Sequence, residues 1–215
     1  MITIVPAIIP QSFSHLSSVF KEVGSFTHTV QIDIVDGVFV PFTSWPYTEH
    51  ASPALLTNFT KDFDIEIDLM ADAPEGVAEE YLVAGVKRIV IHLESTQKLE
   101  TIIALKKKYQ FKLGLSILND TDLSVLTSVI THADYVQLMG IQEIGSQAQP
   151  FDTRVIERIT ILKGMYPNLQ ISVDGSVNEK TLPLLIEAGA TRFAVGSAIL
   201  GAENPASAYA ILCTL

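Results

Sequence analysis

The chain has 215 residues, 48% of them hydrophobic, which is enough for one large domain with a full core. Fourteen Lys and Arg against 24 Asp and Glu give a formal net charge of −10; the one cation run, Lys106-Lys107-Lys108, sits at a helix end, where it complements the dipole. That argues against nucleic-acid binding, which needs a basic patch. Cys213 is the single cysteine, so no disulfide forms within the chain, which suits a reducing cytoplasm.

The opening MITIVPAIIP is apolar but has neither a basic stretch nor a small-residue cleavage site. It reads as a strand over 2–9 and not as a signal peptide. Short apolar runs at 29–35, 63–70, 88–93, 111–117, 134–139, 169–175 and 192–197 read as seven further strands. None approaches the ~18 residues of a membrane span. Between them lie stretches of helical spacing, such as APEGVAEEYLVAGV (73–86) and NEKTLPLLIEAGA (178–190). Each carries a glycine at its C-terminal end, where a left-handed cap needs one. Eight strands alternating with helices, and nothing left over, predict a single (β/α)8 barrel (TIM barrel) over 1–215. A doubly wound open sheet is the alternative.

In a barrel, chemistry sits at the C-terminal strand ends. There the second strand offers Gln31, Asp33 and Asp36, and the third Asp68, Met70 and Asp72. The fourth offers His92 and Glu94, the fifth Ser116 and Asn119, and the sixth Gln137 and Met139. The seventh ends in Asp174-Gly175-Ser176 and the eighth in Gly196-Ser197. Lys87, Arg88, Lys112 and Arg192 fall at strand starts, so the mouth is acidic. A carboxylate inside a strand as apolar as TVQIDIV needs a partner or a function, and this marks Asp33. Asp36, before Gly37, reads as a turn former. The two Gly-Ser pairs after strands seven and eight predict a phosphate site built on backbone amides. Met70 and Met139 read as apolar pocket walls. His92 reads either as a satisfied interior histidine or as a substrate contact in the same wall. His15, His28, His50 and His132 have no metal-ligand spacing and read as surface residues. Trp45 is expected at a pocket rim or an oligomer contact.

VQIDIVDGVFVP, IEIDLMADAPE, IVIHLES, VDGSVNEKTLPLLIEAGATRFAVGSAIL and the opening VPAIIPQSF resemble the ribulose-phosphate 3-epimerase family, in order and across nearly the whole chain. The resemblance implies a cytoplasmic (β/α)8 barrel that moves a proton at C3 of ribulose 5-phosphate to give xylulose 5-phosphate, with a homo-oligomer as the expected assembly. It implies two proton carriers, matching Asp33 and Asp174, on opposite faces of the substrate. It also implies a divalent metal held by those aspartates and two histidines, whose positions here carry Gln31 and Asp68. Two histidines and two aspartates suit Zn2+ or Fe2+; Gln31 with Asp33, Asp68 and Asp174 offers oxygen ligands and suits Mg2+, Mn2+ or Ca2+ better. With no metal, the three carboxylates repel and at least one takes up a proton. Ala7, Val35 and Phe42 stand where the family carries serine, methionine and asparagine. The loop after strand six, GIQEIGSQAQP (140–150), keeps Gly145 and Ser146 as small residues for the substrate phosphate. No strand end supplies the lysine of a Schiff-base aldolase. IDLMADAPE also lacks the lysine of the Asp-x-Lys-x-x-Asp motif of related decarboxylases and synthases. The expectation is a phosphosugar epimerase; another phosphosugar isomerase and a non-catalytic phosphosugar-binding barrel are the alternatives.

Overall fold

A computed structural model describes residues 2–146 and 149–215. Eight parallel strands close into a barrel in chain order: β1 (Thr3–Ile8), β2 (Thr29–Val35), β3 (Asp64–Met70), β4 (Arg88–His92), β5 (Lys112–Ile117), β6 (Tyr135–Met139), β7 (Ile171–Asp174) and β8 (Arg192–Val195). Closure is made by β1 on β8, with Thr3 opposite Arg192 and Pro6 opposite Val195. That pairing removes the open-sheet alternative. The helices are α1 (Phe13–Val23), α2 (Ala78–Val83), α3 (Leu99–Leu105), α4 (Leu123–Thr127), α5 (Arg154–Met165), α6 (Leu182–Ala188), α7 (Ser197–Leu200) and α8 (Pro205–Cys213). None of them is long and apolar enough to cross a membrane.

Local chemistry explains the element ends. Ser12 caps α1 by accepting the His15 amide at 3.0 Å, and the helix buries Leu16, Val19, Phe20 and Val23, one face at helical spacing. Helix α6 stops at Gly189, whose φ of +112° only glycine adopts cheaply. Strands β7 and β8 are shorter than the apolar runs suggest. Gly175 turns left-handed directly after Asp174, with φ +97°, and Gly196 already caps α7.

The large apolar core lies between the outer faces of the strands and the helices, with Ile32, Ile34, Ile65, Ile67, Leu69, Ile89 and Ile91 at its centre. The inner faces carry polar groups. Tyr135 on β6 donates to Glu66 on β3 at 2.7 Å, and Arg192 on β8 reaches the same carboxylate at 3.1 Å. These strands are not neighbours, so the bonds cross the barrel interior. They close its N-terminal end with a buried polar plug. Gly114 leaves the room that the Tyr135 ring occupies. Trp45 departs from expectation: it is fully buried in the apolar core, its ring 5.9 Å from that of Phe13, and so it is neither a pocket rim nor an exposed contact. The chain from β2 turns back beneath α1, where the Trp45 amide bonds the Pro10 carbonyl at 2.7 Å.

Candidate active site

Strands β2 and β3 run in register, Asp33 beside Asp68 and Gln31 beside Glu66, because both carry polar residues at every second position. Strand β7 delivers Asp174 across the barrel at its C-terminal end. The carboxylates of Asp33, Asp68 and Asp174 thus each place an oxygen within 4.8 Å of the others. Asp33 and Asp68 are buried, whereas Asp174 is partly open to the mouth. Gln31 Nε2 donates to Asp33 Oδ1 at 2.9 Å and to Asp174 Oδ2 at 2.6 Å. Asp68 is held from two other strands: Gln137 Nε2 donates to Oδ2 at 2.7 Å, and His92 Nε2 lies 3.1 Å from Oδ1.

Three carboxylates this close cannot all ionise cheaply. Burial, then the charges of Asp174 and Asp68, raises Asp33 well above the ordinary carboxylate range against the opposing Gln31 hydrogen bond. Burial and the Asp68 charge push Asp174 up to about 7, with Gln31 and His92 acting the other way. For His92, burial favours the neutral ring, but the charge and hydrogen bond of Asp68 outweigh it and raise the imidazole above its ordinary value. His92 and Asp68 therefore form a buried hydrogen-bonded pair beside the two aspartates that line the cavity.

Above the carboxylates opens a cavity of about 300 Å3. Asp33 and Asp174 sit in its lining with Met70 and Met139, and so do Gly145, Ser146, Gly175, Ser176, Gly196 and Ser197. Loops after β6, β7 and β8 bring those six residues together. No lysine or arginine lines the cavity among the described residues. A larger, shallower groove of about 690 Å3 lies at the strand starts around Lys61, Lys87, Arg88 and Lys112, the opposite end from the carboxylates. Size alone does not mark the site.

Most of the other residues singled out by sequence lie outside the cavity. His92 is not in the cavity wall; its ring is wholly buried against Asp68 and packs 5.6 Å from the Phe39 ring. Asp36 is a turn former, accepting the Val38 and Phe39 amides through one oxygen and the Asp72 amide through the other. Glu94 accepts the Leu118 amide at 2.8 Å, and Asn119 donates to the Met139 carbonyl at 2.9 Å; both brace loops. His15, His28, His50 and His132 are exposed. Of the residues that the resemblance marked as departures, Ala7 lines the cavity, Val35 packs with Met70 and Met139, and Phe42 is 46% exposed. Gln149 was not singled out by sequence. It lines the cavity, bonds Ser146 Oγ at 2.8 Å and accepts the Ser176 hydroxyl through its carbonyl. Reading that loop for small residues alone passes over an amide.

The three carboxylates can hold a divalent metal: an oxygen from each is within reach of one hard cation. Gln31 turns its nitrogen toward two of them, and a planar amide nitrogen is not a ligand. Three carboxylates, not four residues, form the donor set in this geometry.

The model of the Ribulose-phosphate 3 epimerase family matches residues 3–200. The chain is 31% identical over 211 residues to the ribulose-phosphate 3-epimerase of Bacillus subtilis (strain 168), covering 95% of this chain and 94% of that one. It is 32% identical over 178 residues to the enzyme of the same name from Aquifex aeolicus (strain VF5), covering 80% and 77%. Among solved structures, a 3-hexulose-6-phosphate synthase superposes with a TM-score of 0.71 at 21% identity over 100% of this chain and 99% of that one. The orotidine 5'-phosphate decarboxylase of Pyrococcus horikoshii gives 0.69 at 16% identity over 98% and 97%. At such identity these two speak for the barrel only. The match over residues 3–200 and the Bacillus relative go further: the chain belongs to the ribulose-phosphate 3-epimerase family, an isomerase family.

Proposed function

We propose that the chain interconverts ribulose 5-phosphate and xylulose 5-phosphate, with Asp33 and Asp174 as the two proton carriers. The observation that carries this reading is their placement in the lining of one cavity, both with raised pKa. A carboxyl near 7 gives and takes a proton at neutral pH with little mismatch. In one direction, one aspartate removes the C3 proton and the electron pair passes into the C2 carbonyl, giving an enediolate. The other, protonated aspartate then returns a proton to the opposite face of C3, and the roles reverse for the return reaction. One proton shared by a repelling pair is the right stock for such an exchange.

The phosphate fits the other end of the cavity, at the turns Gly175-Ser176 and Gly196-Ser197, with Gly145, Ser146 and Gln149 closing over it. These are neutral donors, backbone amides and hydroxyls, which suits a site with three carboxylates a few ångströms away. Met70 and Met139 shield the reacting carbons from water. A divalent cation on Asp33, Asp68 and Asp174, best Mg2+ or Mn2+ for oxygen ligands, would supply Lewis-acid stabilisation of the enediolate oxygens. The family relationship supports the reaction class, and IDLMADAPE without lysine disfavours the chemistry of the synthase and decarboxylase neighbours.

The test is a coupled assay with ribulose 5-phosphate on protein as purified, after EDTA, and after Mg2+, Mn2+, Fe2+ or Zn2+ is restored singly. Asp33→Asn and Asp174→Asn are each expected to lower kcat by roughly 1,000-fold or more. In D2O the wild type is expected to place deuterium at C3 of both epimers, and each single variant to exchange at most one of them. Full epimerisation by either variant would sink the two-aspartate mechanism.

A further inference from the structure

We propose that Gln31 is a positioning residue: its side-chain amide sets the spacing and facing of Asp33 and Asp174, so that the pair is organised before any cation binds. The functional half of the argument rests on the epimerase reading above. One amide nitrogen carries two N–H groups and here spends one on each carboxylate, at 2.9 Å on Asp33 Oδ1 and 2.6 Å on Asp174 Oδ2. The partners fix which way the amide points. Turned over, Oε1 would face two carboxyl oxygens; with one proton shared by that pair, at least one of the two contacts would set acceptor against acceptor, whereas the N–H groups satisfy both. The orientation that avoids this leaves Oε1 buried with no partner, so the bridge is kept at the expense of the other half of the amide.

The bridge is also held in place. Gln31 is fully buried, and its backbone lies between Ala7 on β1 and Glu66 on β3. Asp68 does not compete for the amide, because His92 and Gln137 take its two oxygens. The Asp33–Asp174 pair and Asp68 are therefore served by separate donors. Gln31 joins β2 to β7, which are not neighbours in the barrel, and no other described side chain touches both Asp33 and Asp174 by a hydrogen bond.

The experiment uses the EDTA-treated full chain. Gln31→Leu keeps the bulk and removes the amide; kcat is expected to fall about 100-fold with KM within about twofold, the mark of misplaced reacting groups and not of lost binding. Gln31→Glu keeps the shape and removes both N–H donors. It is expected to fall as far in EDTA and to recover on adding Mg2+, because a cation then joins the carboxylates that the amide no longer joins. A merely structural glutamine would not produce that rescue. Independently of turnover, the Gln31 side-chain NH2 signals of 15N-labelled wild type, assigned by their loss in either variant, are expected to exchange slowly with water. Gln31→Leu with kcat within about threefold of wild type overturns the proposal. Wild type without turnover on ribulose 5-phosphate, both in EDTA and with each metal restored, sinks the epimerase reading instead. The NH2 exchange then decides the bridge: slow exchange upholds it, and exchange at the solvent rate overturns it.

Discussion

Asp174 titrates near neutrality in the folded protein, at about 7, against roughly 3.9 in an unfolded chain. The sign of its effect on stability follows. Below about pH 4 both states hold the proton and nothing is lost; from there to about 7 only the folded state holds it, so stability falls as the pH rises through that window. Asp33 is shifted the same way. Asp174→Asn removes one of the repelling charges, and it is expected to raise Tm by roughly 5 °C at pH 8 and by much less at pH 5. Calorimetry at the two pH values checks this, and a variant less stable than wild type at pH 8 would show that the carboxylates do not repel. The same substitution is expected to abolish epimerisation, so activity and stability move in opposite directions. Asp33 was legible in the sequence because a charge interrupts an apolar run, and Asp174 because it ends the seventh strand in a stretch that resembles the family. The roles of Gln31 and His92 were not. Gln31 meets a partner 143 residues away across the barrel and His92 one 24 residues away, and no local spacing reports either contact.

The strands were legible as elements to within a residue or two, since alternation with helices is periodic and local. Their ends were less so where a glycine turn cuts an apolar run short, as at Gly175 and Gly196. A glycine inside a strand gives no local sign of what approaches it. Gly114 on β5 faces the Tyr135 ring on β6, close enough that an added methyl would press into it. Gly114→Ala is therefore expected to destabilise by about 1–3 kcal/mol through overpacking, measured by urea unfolding. It should also disturb the Tyr135–Glu66 bond that closes the barrel's lower end. Unfolding as stable as wild type would mean that the ring has room to retreat.

At the scale of the molecule, the eight strands serve two interiors. Trp45 belongs to the outer one, and the sequence misplaced it because a loop tryptophan after β2 looks like a rim residue until α1 is seen to fold over it. Trp45→Ala is expected to cost about 3–5 kcal/mol in urea unfolding, a loss typical of a large buried aromatic. A loss below about 1 kcal/mol would place it outside the core. The inner interior carries Gln31, Asp68, Gln137 and Glu66, and along each strand the two sets occupy alternate positions. Heredity can therefore act on them separately. A lineage that exchanges an inward residue at the mouth leaves the outward isoleucines, and with them most of the apolar core, untouched. Gln31 and Asp68, the two positions where the resemblance implied histidines, are both inward. Alternation along a strand thus lets the barrel revise its reaction chemistry one codon at a time without first risking its architecture.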